Sequence, residues 1–412
     1  MVARTAPVHA PITQFSTRDN QLVIGPYTAT ELAARVGMTP FYAYDSGLIR
    51  QRVAALRDIM PPALHIHYAV KANPMPAVIQ LLEELVDGLD VASAGEIRLA
   101  LDSGVEPALV SFAGPGKSDS ELAAAVSAGV VVNLESEGEM RRLAAQGERL
   151  GITPRVAVRV NPAFELKTSG MKMGGGPKPF GVDEERVPQM LSELSALGLS
   201  FQGFHIFAGS QNLKAEAIIE AQNLSLELAT RLAEGLPVAP SWVNIGGGLG
   251  IPYFPGERPL DLDPIAANLE RLCEAARRQL QGAHLVMELG RYLVAEAGVY
   301  IAEVVDRKHS RGDTYLITNG GLHHHLAASG NFGQVIRKNY PVCIGNRIDF
   351  PEQEQVNIVG PLCTPLDILA DKVTLPRADV GDLVVVFQSG AYGYSASPHG
   401  FLSHPPPGQV LV

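Results

Sequence analysis

The sequence predicts an α/β protein, a closed (β/α)8 TIM-like barrel followed by a C-terminal mostly β domain. Between residues 40 and 290, short β-rich runs alternate with segments whose apolar spacing suits helices covering a sheet. Eight such repeats over roughly 250 residues are typical of the closed barrel. Beyond residue 290, short runs joined by turns replace the helical periodicity. We predict a barrel at 38–290 and a β domain formed by 1–37 and 291–412, with an open doubly wound sheet as the alternative.

The individual elements follow from their local patterns. The predicted barrel strands are 64–70, 88–93, 108–114, 129–135, 155–162, 200–209, 242–248 and 284–290. Helical spacing is clearest at 75–86, 120–129, 137–150 and 215–236. The Gly- and Lys-rich connection 164–180 exceeds ordinary loop lengths, so we expect it to be a functional or mobile loop.

Composition narrows the function classes. The 412 residues carry a formal net charge of −10 and no basic run or basic–aromatic patch, which argues against nucleic-acid binding. Three scattered cysteines, Cys273, Cys343 and Cys363, are too few for a disulfide framework or a thiolate metal site. No apolar run has the length of a signal peptide or a membrane span. We expect a cytoplasmic protein.

The stretch HIHYAVKANP ends a predicted strand on Lys71. A lysine buried there is costly unless it is paired or used chemically. One interpretation is a side chain that reaches solvent or a carboxylate, which is the commoner fate of a lone lysine. The other is an amine held dry so that it forms a Schiff base.

In a barrel, the carboxyl ends of the strands meet at the face where such enzymes keep their chemistry. Unusual residues fall at these ends: Asp90, Arg159, His205, the triplet Gly246, Gly247 and Gly248, and Glu288 with Gly290 and Arg291. A glycine triplet lets backbone N–H groups approach an anion, and the loops after strands seven and eight are the usual phosphate site. A phosphate site, a Schiff-base lysine and a carboxylate for a ring nitrogen together describe pyridoxal phosphate.

At this point the chain resembles a known family. The motifs YAVKANP, LDVAS, GFHIFAGSQ, NIGGGLG, ELGRYLVAEAG, GPLCTPLD and QSGAYGYSASP are similar to those of the alanine-racemase-fold, pyridoxal-phosphate-dependent decarboxylases, which include diaminopimelate, ornithine and arginine decarboxylases. The resemblance covers nearly the whole chain, in order. It implies decarboxylation of an L- or D-α-amino acid and a homodimer with active sites at the interface.

The resemblance also implies roles for individual residues. Lys71 corresponds to the Schiff-base lysine and Glu288 to the partner of the pyridine nitrogen. Cys363 corresponds to the residue that reaches the partner subunit's site and protonates the α-carbon. The implied cofactor contacts further include Asp90, Arg159, His205, Ser210, Gly246, Gly247, Gly248, Gly290, Arg291 and Tyr392. The implied substrate contacts are Thr364, His324 and Asp367.

Two positions depart from the diaminopimelate and ornithine enzymes. Phe207 stands where they have a histidine that stacks on the cofactor ring, so stacking is retained and a proton role is lost. Thr364 stands where they have an acidic residue that binds the distal end of the substrate. A neutral threonine leaves a buried ammonium unpaired, so we expect the substrate not to be a free diamino acid.

Both departures resemble one subgroup of the family. It contains the butirosin-pathway enzyme, which decarboxylates glutamate tethered to an acyl carrier protein, and decarboxylases associated with exosortase gene clusters. A thioester tether carries no distal charge, which suits Thr364. A basic patch for an acidic carrier would have to come from Lys167, Lys172 and Lys178, or from Arg337 and Lys338, and a solvated surface is the alternative for both groups.

Other interpretations stay open at this stage. They are a free diaminopimelate, ornithine or lysine decarboxylase, an amino-acid racemase, and a non-catalytic homologue that binds the cofactor. A racemase of this fold holds the pyridine nitrogen with arginine, whereas this chain has Glu288. The run His323–His325 suggests a metal, but three consecutive histidines cannot all face one ion on regular backbone. We expect no metal there and a segment facing the substrate instead.

Overall fold

The structure is a computed structural model, and it describes residues 7–165, 171, 172, 174–332, 334 and 337–412. The strands are β1 (Thr17–Arg18), β2 (Gln21–Ile24), β3 (Tyr27–Thr28), β4 (Phe41–Tyr44), β5 (Leu64–Ala69), β6 (Gly88–Val91), β7 (Val110–Phe112), β8 (Val131–Leu134), β9 (Arg155–Asn161), β10 (Met171–Lys172), β11 (Val182–Asp183), β12 (Ser200–Ile206), β13 (Gly209–Ser210), β14 (Trp242–Gly247), β15 (His284–Leu289), β16 (Gly298–Ser310), β17 (Asp313–Thr318), β18 (Val342–Ile344), β19 (Gln353–Val359), β20 (Ile368–Pro376), β21 (Leu383–Val386) and β22 (Gly408–Leu411).

The helices alternate with these strands through the middle of the chain. The α-helices are α1 (Ala29–Val36), α2 (Ser46–Ile59), α3 (Pro76–Glu83), α4 (Ala94–Asp102), α5 (Asp119–Ala128), α6 (Glu137–Leu150), α7 (Val187–Leu194), α8 (Ala215–Ala233), α9 (Asp263–Gln279) and α10 (Arg291–Val294). Single 3-10 turns occupy Val70–Ala72, Pro107–Leu109, Ala295–Ala297 and Phe401–Ser403. None of the described helices is both long enough and apolar enough to cross a membrane.

The chain divides into two units. The barrel unit comprises Val53–Gly250 and Leu260–Gly290, and the β unit comprises Met1–Arg52, Ile251–Pro259 and Arg291–Val412. In the described part of the barrel unit, eight parallel strands pair in the order β9, β12, β14, β15, β5, β6, β7 and β8. β8 pairs again with β9, so the sheet closes. The predicted (β/α)8 barrel is confirmed, and the open doubly wound sheet is excluded.

The barrel strands are apolar because both of their faces are covered. Strands β6, β7 and β8 are buried at every position, and β9 at every position after Arg155. Such strands read as continuous Val- and Leu-rich runs rather than as alternating ones. This explains why the sequence pattern located all eight.

Serine caps set the starts of three barrel helices. Ser93, Ser118 and Ser136 each accept a hydrogen bond from the backbone N–H of a glutamate three residues later, at the beginning of α4, α5 and α6. The N-terminal N–H groups of a helix lack intrahelical partners, and a serine side chain satisfies one of them. Each cap therefore fixes the residue at which a helix begins after the preceding barrel strand.

The β unit is built around strand β16. Its first half pairs with β4 and β21, and its second half pairs with β17 after a register shift between Val304 and Asp306. β17 continues to β19 and β20, and β22 pairs in parallel with β4. The core includes Phe41, Val299, Ile301 and Val385, all fully buried. The prediction of a separate, mostly β part of the chain is confirmed.

Close backbone approach between two barrel strands requires glycine at position 203. A Cβ atom added to Gly203 of β12 would lie 2.0 Å from the carbonyl oxygen of Trp242, its partner on β14. Gly203→Ala therefore forces the two strands apart. We expect the free energy of unfolding to fall by about 1–3 kcal/mol or more, because overpacking a closed sheet has that cost.

Urea unfolding followed by circular dichroism measures this change. Gly116→Ala is the matched control, because a Cβ at Gly116 would have no heavy atom within 4 Å. Equal stability of the two variants would mean that the β12–β14 contact is not tight.

Candidate active site

Lys71 lies just beyond the end of β5, in the 3-10 turn Val70–Ala72. The following chain is fixed by two hydrogen bonds: the Tyr68 hydroxyl donates to the Asn73 carbonyl at 2.9 Å, and the Met75 N–H donates to Asn73 Oδ1 at 3.1 Å. The Lys71 side chain is 47% exposed, so it reaches solvent as well as a carboxylate, which is one of the two alternatives left open by the sequence. It leaves the barrel at this turn and lines a cavity of about 270 Å3.

Glu288 is the carboxylate next to Lys71. Strands β15 and β5 pair with Glu288 opposite His67, which brings the end of β15 beside the turn that carries Lys71. Lys71 Nζ lies 3.3 Å from Glu288 Oε1, and His205 Nε2 lies 3.1 Å from Oε2. Glu288 and His205 are both buried. One buried carboxylate is thus shared by a lysine and a histidine.

These partners determine the charge of Glu288. Burial alone would raise the pKa of a carboxyl group, because it penalises the charged form. Here the positive charge of Lys71 and the hydrogen bond from His205 outweigh burial and hold the pKa of Glu288 well below its usual range. Glu288 is therefore ionised at neutral pH, as a carboxylate that keeps a ring nitrogen protonated must be.

Phe207 supplies an aromatic surface in the same cavity. Its ring centroid is 5.6 Å from Lys71 Nζ. Phe207 lines the cavity together with His205 and Glu288. A phenyl ring can stack on a flat heteroaromatic group but carries no proton to exchange.

The floor of the cavity is polar. Asp90 is buried and accepts a hydrogen bond from the Ser111 hydroxyl at 2.6 Å, and the Asn133 amide donates to the same hydroxyl at 3.0 Å. His67 Nδ1 lies 3.3 Å from the same oxygen of Asp90. Ser111 and Asn133 were not predicted as site residues. Ser111 lies on β7, beside the strand of Asp90, and Asn133 lies on β8, beside the strand of Arg159. Polar residues in otherwise apolar strands were the signal that would have found them.

Arg159 is held by a second carboxylate that the sequence reasoning missed. Arg159 Nη1 donates to Glu135 Oε1 at 2.9 Å, and the Phe180 ring lies 5.1 Å from the guanidinium carbon. Glu135 also accepts the backbone N–H groups of Gly114 at 2.5 Å and Gly181 at 3.1 Å. It thereby fastens two loops to the arginine. A glutamate directly after β8 was the signal available in the sequence.

The predicted glycine triplet packs against the loop after β12. Gly246 and Gly248 have φ values of 71° and 76°, which favour glycine. A Cβ on Gly248 would lie 2.8 Å from the carbonyl oxygen of Gly209, the residue before Ser210. The Asn212 N–H donates to the Gly248 carbonyl at 2.9 Å. The two loops therefore form one close-packed backbone surface, of the kind that receives an anion.

The remaining predicted site residues lie in the β unit, apart from Gly290, which ends the barrel unit. Arg291 is packed between aromatic rings, with its guanidinium carbon 5.3 Å from the Tyr253 ring and 4.9 Å from the Tyr392 ring. Thr364 and Asp367 line a second cavity in this unit. Cys363 is exposed.

The histidine run forms a buried cluster. His323, His324 and His325 are at most 1% exposed, and His324 contacts the Tyr300 hydroxyl at 3.3 Å and the Pro405 carbonyl at 2.9 Å. Burial lowers the pKa of these groups to about 3, 4 and 3. Within the described residues no group of three or more potential ligands is arranged to hold a metal ion. These contacts give His324 a packing role, and its contact with a substrate stays a prediction.

The basic residues suggested as a patch for a carrier protein have different environments. Lys167 and the side chain of Lys172 fall outside the described residues. Arg337 is committed to the protein itself, because its guanidinium donates to the carbonyls of Ser329 and Ile368 at 3.2 and 2.9 Å. Lys338 is exposed and Lys178 is half-buried.

The residues of the barrel unit fit pyridoxal phosphate. They combine an amine, an ionised buried carboxylate, an aromatic face and a glycine-rich backbone surface. Three buried polar atoms at the cavity have no hydrogen-bond partner among the described residues: Asp90 Oδ2, Asn133 Oδ1 and His205 Nδ1. Unpaired buried polar atoms are costly, so a polar ligand here offsets that cost.

Comparison with known proteins identifies relatives over most of the chain. Residues 46–295 match the family described as "Pyridoxal-dependent decarboxylase, pyridoxal binding domain". The chain is 39% identical to the L-glutamyl-(BtrI acyl-carrier protein) decarboxylase of Niallia circulans, over 90% of this chain and 88% of that protein. It is 32% identical to the 2-((L-alanin-3-ylcarbamoyl)methyl)-2-hydroxybutanedioate decarboxylase of Staphylococcus aureus, over 89% of this chain and 92% of that protein.

A solved structure of a decarboxylase has a similar fold over nearly the whole chain. The diaminopimelate decarboxylase from M. jannaschii, in complex with L-lysine, superimposes with a TM-score of 0.86 and 26% identity. The match covers 97% of this chain and 93% of that one.

The paired state of Glu288 makes the stability of the fold depend on pH. The pKa of Glu288 is lower in the folded protein than in the unfolded chain. Its contribution to the free energy of unfolding is therefore fully present above the ordinary carboxyl pKa of about 4.5 and is lost as the pH falls below that value. In protein freed of pyridoxal phosphate, we expect Glu288→Gln to reduce the dependence of the free energy of unfolding on pH below about 4.5, which we call the acid limb. The slope should decrease by up to about 1.4 kcal/mol per pH unit.

Urea unfolding between pH 3 and 6 measures both slopes. Glu227→Gln, on the exposed face of α8, is the matched control. An unchanged acid limb in Glu288→Gln would contradict the pairing of Glu288 with Lys71 and His205.

Proposed function

The chain belongs to the pyridoxal-dependent decarboxylases, and from that premise we propose that it decarboxylates an α-amino acid tethered by a thioester to an acyl carrier protein. An L-glutamyl group is the leading candidate, because the relative from Niallia circulans is named for that substrate. The observation that carries the proposal is the loop around Thr364, which offers no carboxylate to a distal ammonium.

The hydrogen bonds of this loop support that inference. Within residues 360–368, all of which the structure describes, Asp367 is the one carboxylate. Its Oδ1 accepts the Leu322 N–H at 2.6 Å and its Oδ2 accepts the Leu362 N–H at 2.8 Å. These bonds show that Asp367 holds the loop, and its expected contact with the substrate stays a prediction. Asp367 is buried and both of its oxygens are engaged by the backbone, so Thr364 is the residue that the loop presents to the distal end of a substrate, and an uncharged thioester suits it.

Each residue of the barrel unit then has a task. Lys71 would hold the cofactor through its amine, Glu288 would hold the ring nitrogen, and Ser210 with the glycine triplet would hold the phosphate. When bound, pyridoxal phosphate supplies an electron sink for the negative charge left at the α-carbon by loss of CO2. His205 keeps Glu288 in place, and Phe207 would supply an apolar surface for the ring.

Cys363 is the proposed proton donor to the α-carbon, acting in the site of a neighbouring subunit. The three cysteines differ in accessibility: Cys273 is buried, Cys343 is partly buried, and Cys363 is exposed. Burial raises the pKa of Cys273 to about 11 and also raises that of Cys343. Cys363 is thus the accessible thiol, and a site that it completes from a neighbour requires a homodimer.

Two other substrates are supported by specific observations. Relatives that act on free diaminopimelate share the fold over nearly the whole chain. The Staphylococcus aureus relative is named for an untethered amino acid with a bulky acyl-type substituent, which likewise has no distal ammonium. The substrate panel below separates these cases.

CO2 release by the purified, cofactor-loaded protein tests the substrate class. The panel contains free lysine, ornithine, arginine, diaminopimelate and glutamate, N-acyl diaminopropionate, and the γ-glutamyl thioester of a carrier protein. We expect release from the thioester and none from the free acids, with Lys71→Ala as the background. Release from a free diamino acid would overturn the proposal, and release only from N-acyl diaminopropionate would favour the second relative's substrate class.

Cys363→Ala tests the proton donor. We expect the cofactor to stay bound and turnover to fall by about 10²–10⁴-fold, the usual contribution of a positioned acid. The ratio of amine product to CO2 should fall as well, because protonation is slowed or misdirected. Mass spectrometry of the product and a CO2 assay measure both quantities.

Cys343→Ala is the matched control and should keep both values. Mixing Cys363→Ala protein with Lys71→Ala protein should restore part of the activity, because a mixed dimer holds one intact site. A normal product ratio and rate in Cys363→Ala would remove this residue from the mechanism.

A further inference from the structure

A groove of about 470 Å3 crosses the β unit beside the loop 360–368. Strands β16, β17 and β19 form its floor. Its lining residues are Lys308, Ser310, Tyr315, Ile317, Val359, Gly360, Leu362, Thr364, Pro365, Asp367 and Ile368. The volume is within the range of small-molecule sites, which is about 300–1,000 Å3.

The floor of the groove is apolar and only half covered. Tyr315 pairs with Lys308 across β16 and β17, and Ile317 pairs with Val359 across β17 and β19, so these side chains share one face of the sheet. Tyr315, Ile317 and Val359 are all partly exposed. Half-exposed apolar side chains next to one another favour a ligand with methylene and methyl groups.

The wall of the groove is preformed. The Thr364 N–H donates to the Leu362 carbonyl at 2.8 Å, and the Gly360 N–H donates to the Asp367 carbonyl at 3.1 Å. The Leu366 N–H donates to the Thr364 hydroxyl at 3.3 Å. A wall fixed by its own hydrogen bonds loses little conformational entropy when a ligand binds.

Lys308 places a positive charge at one end of the groove. Lys308 is exposed and forms no ion pair with any described residue. Asp367 is buried, and both of its oxygens already accept backbone N–H groups. Lys308, with the Ser310 hydroxyl two residues away on the same strand, is therefore the part of the lining that favours an anion such as a phosphate.

We propose that this groove binds the phosphopantetheine arm of the carrier protein, with its phosphate at Lys308 and its thioester end at Thr364. The inference rests on the proposed function and assigns the site that would bind the arm linking the amino acid to its carrier protein. The lining contains, in one groove, a residue adjacent in sequence to Cys363, an apolar floor and a lysine. A phosphopantetheine arm contains a thioester, a chain of methylene, amide and dimethyl groups, and a phosphodiester.

A ladder of glutamyl thioesters tests the groove. The substrates carry N-acetylcysteamine, pantetheine or 4′-phosphopantetheine, and KM and kcat for CO2 release are measured with the cofactor-loaded enzyme. We expect KM to fall at each step as the arm lengthens. Lys308→Glu should raise KM about fivefold for the phosphopantetheine ester alone, because an exposed charge that attracts the phosphate is replaced by one that repels it. Ile317→Thr should reduce the gain from N-acetylcysteamine to pantetheine.

Lys372→Glu is the matched control, because Lys372 is an exposed lysine on β20 that does not line the groove. It should leave all three KM values unchanged. The proposed role of the groove would be overturned if both lysine substitutions changed KM equally, or if the wild type had the same KM for all three thioesters.

Calorimetry with 4′-phosphopantetheine alone separates this inference from the proposed function. Binding that is lost in Lys308→Glu supports the groove even if no thioester is decarboxylated, in which case only the proposed substrate falls. If all three thioesters are decarboxylated with equal KM values, the proposed role of the groove is wrong and the proposed substrate class stands. A shift from dimer to monomer in Lys308→Glu, measured by sedimentation, would instead make the groove an interface between two copies of the chain.

Discussion

The pairing of β15 with β5 is the constraint on which the site depends. It is the seam where the last barrel strand meets the first, and its register sets Glu288 beside the turn that carries Lys71. A carboxylate buried in this way is tolerated only with partners, and Lys71 and His205 supply them. A shift of one residue in this register would turn Glu288 away from the cavity. The closed sheet excludes such a shift, because every strand is held on both sides.

The chemical tasks are divided between the two units of the chain. The barrel unit holds the groups proposed to act on the reacting centre, and they are mostly buried and bonded to one another, as Arg159 is to Glu135. The β unit holds the groups proposed to read the rest of the substrate, Thr364 and Lys308, on partly or fully exposed positions. Substitutions in the second set can change the substrate without disturbing the charge balance around Lys71. A family that acts on several substrates with one cofactor benefits from this separation.

The sequence predicted the barrel well because buried parallel strands leave an unambiguous pattern of apolar runs between helices. It placed Lys71, Asp90, His205, Phe207 and Glu288 around one cavity because strand ends meet at one face. It missed Ser111 and Asn133, which are polar residues within apolar strands, and Glu135, which directly follows β8, because these signals were present but their hydrogen-bond partners lie on other strands and loops. The exposure of Lys71 and the hydrogen bonds of Asp367 depend on turn geometry, which residue types alone do not fix. The groove on the β unit joins residues from four strands and a loop, so no local sequence pattern predicts it.

The β unit is assembled from three separate stretches of chain, and this affects the order in which the protein can fold during synthesis. The barrel unit has all of its residues once position 290 has left the ribosome, whereas β22 must travel back to pair with β4, more than three hundred residues earlier. Strand β4 therefore waits with an unpaired edge while the barrel is made. Such edges bind other chains readily, and pairings this distant in sequence form slowly. The residues that bring Lys71 and Glu288 together are therefore all synthesised before the strands that complete the second unit.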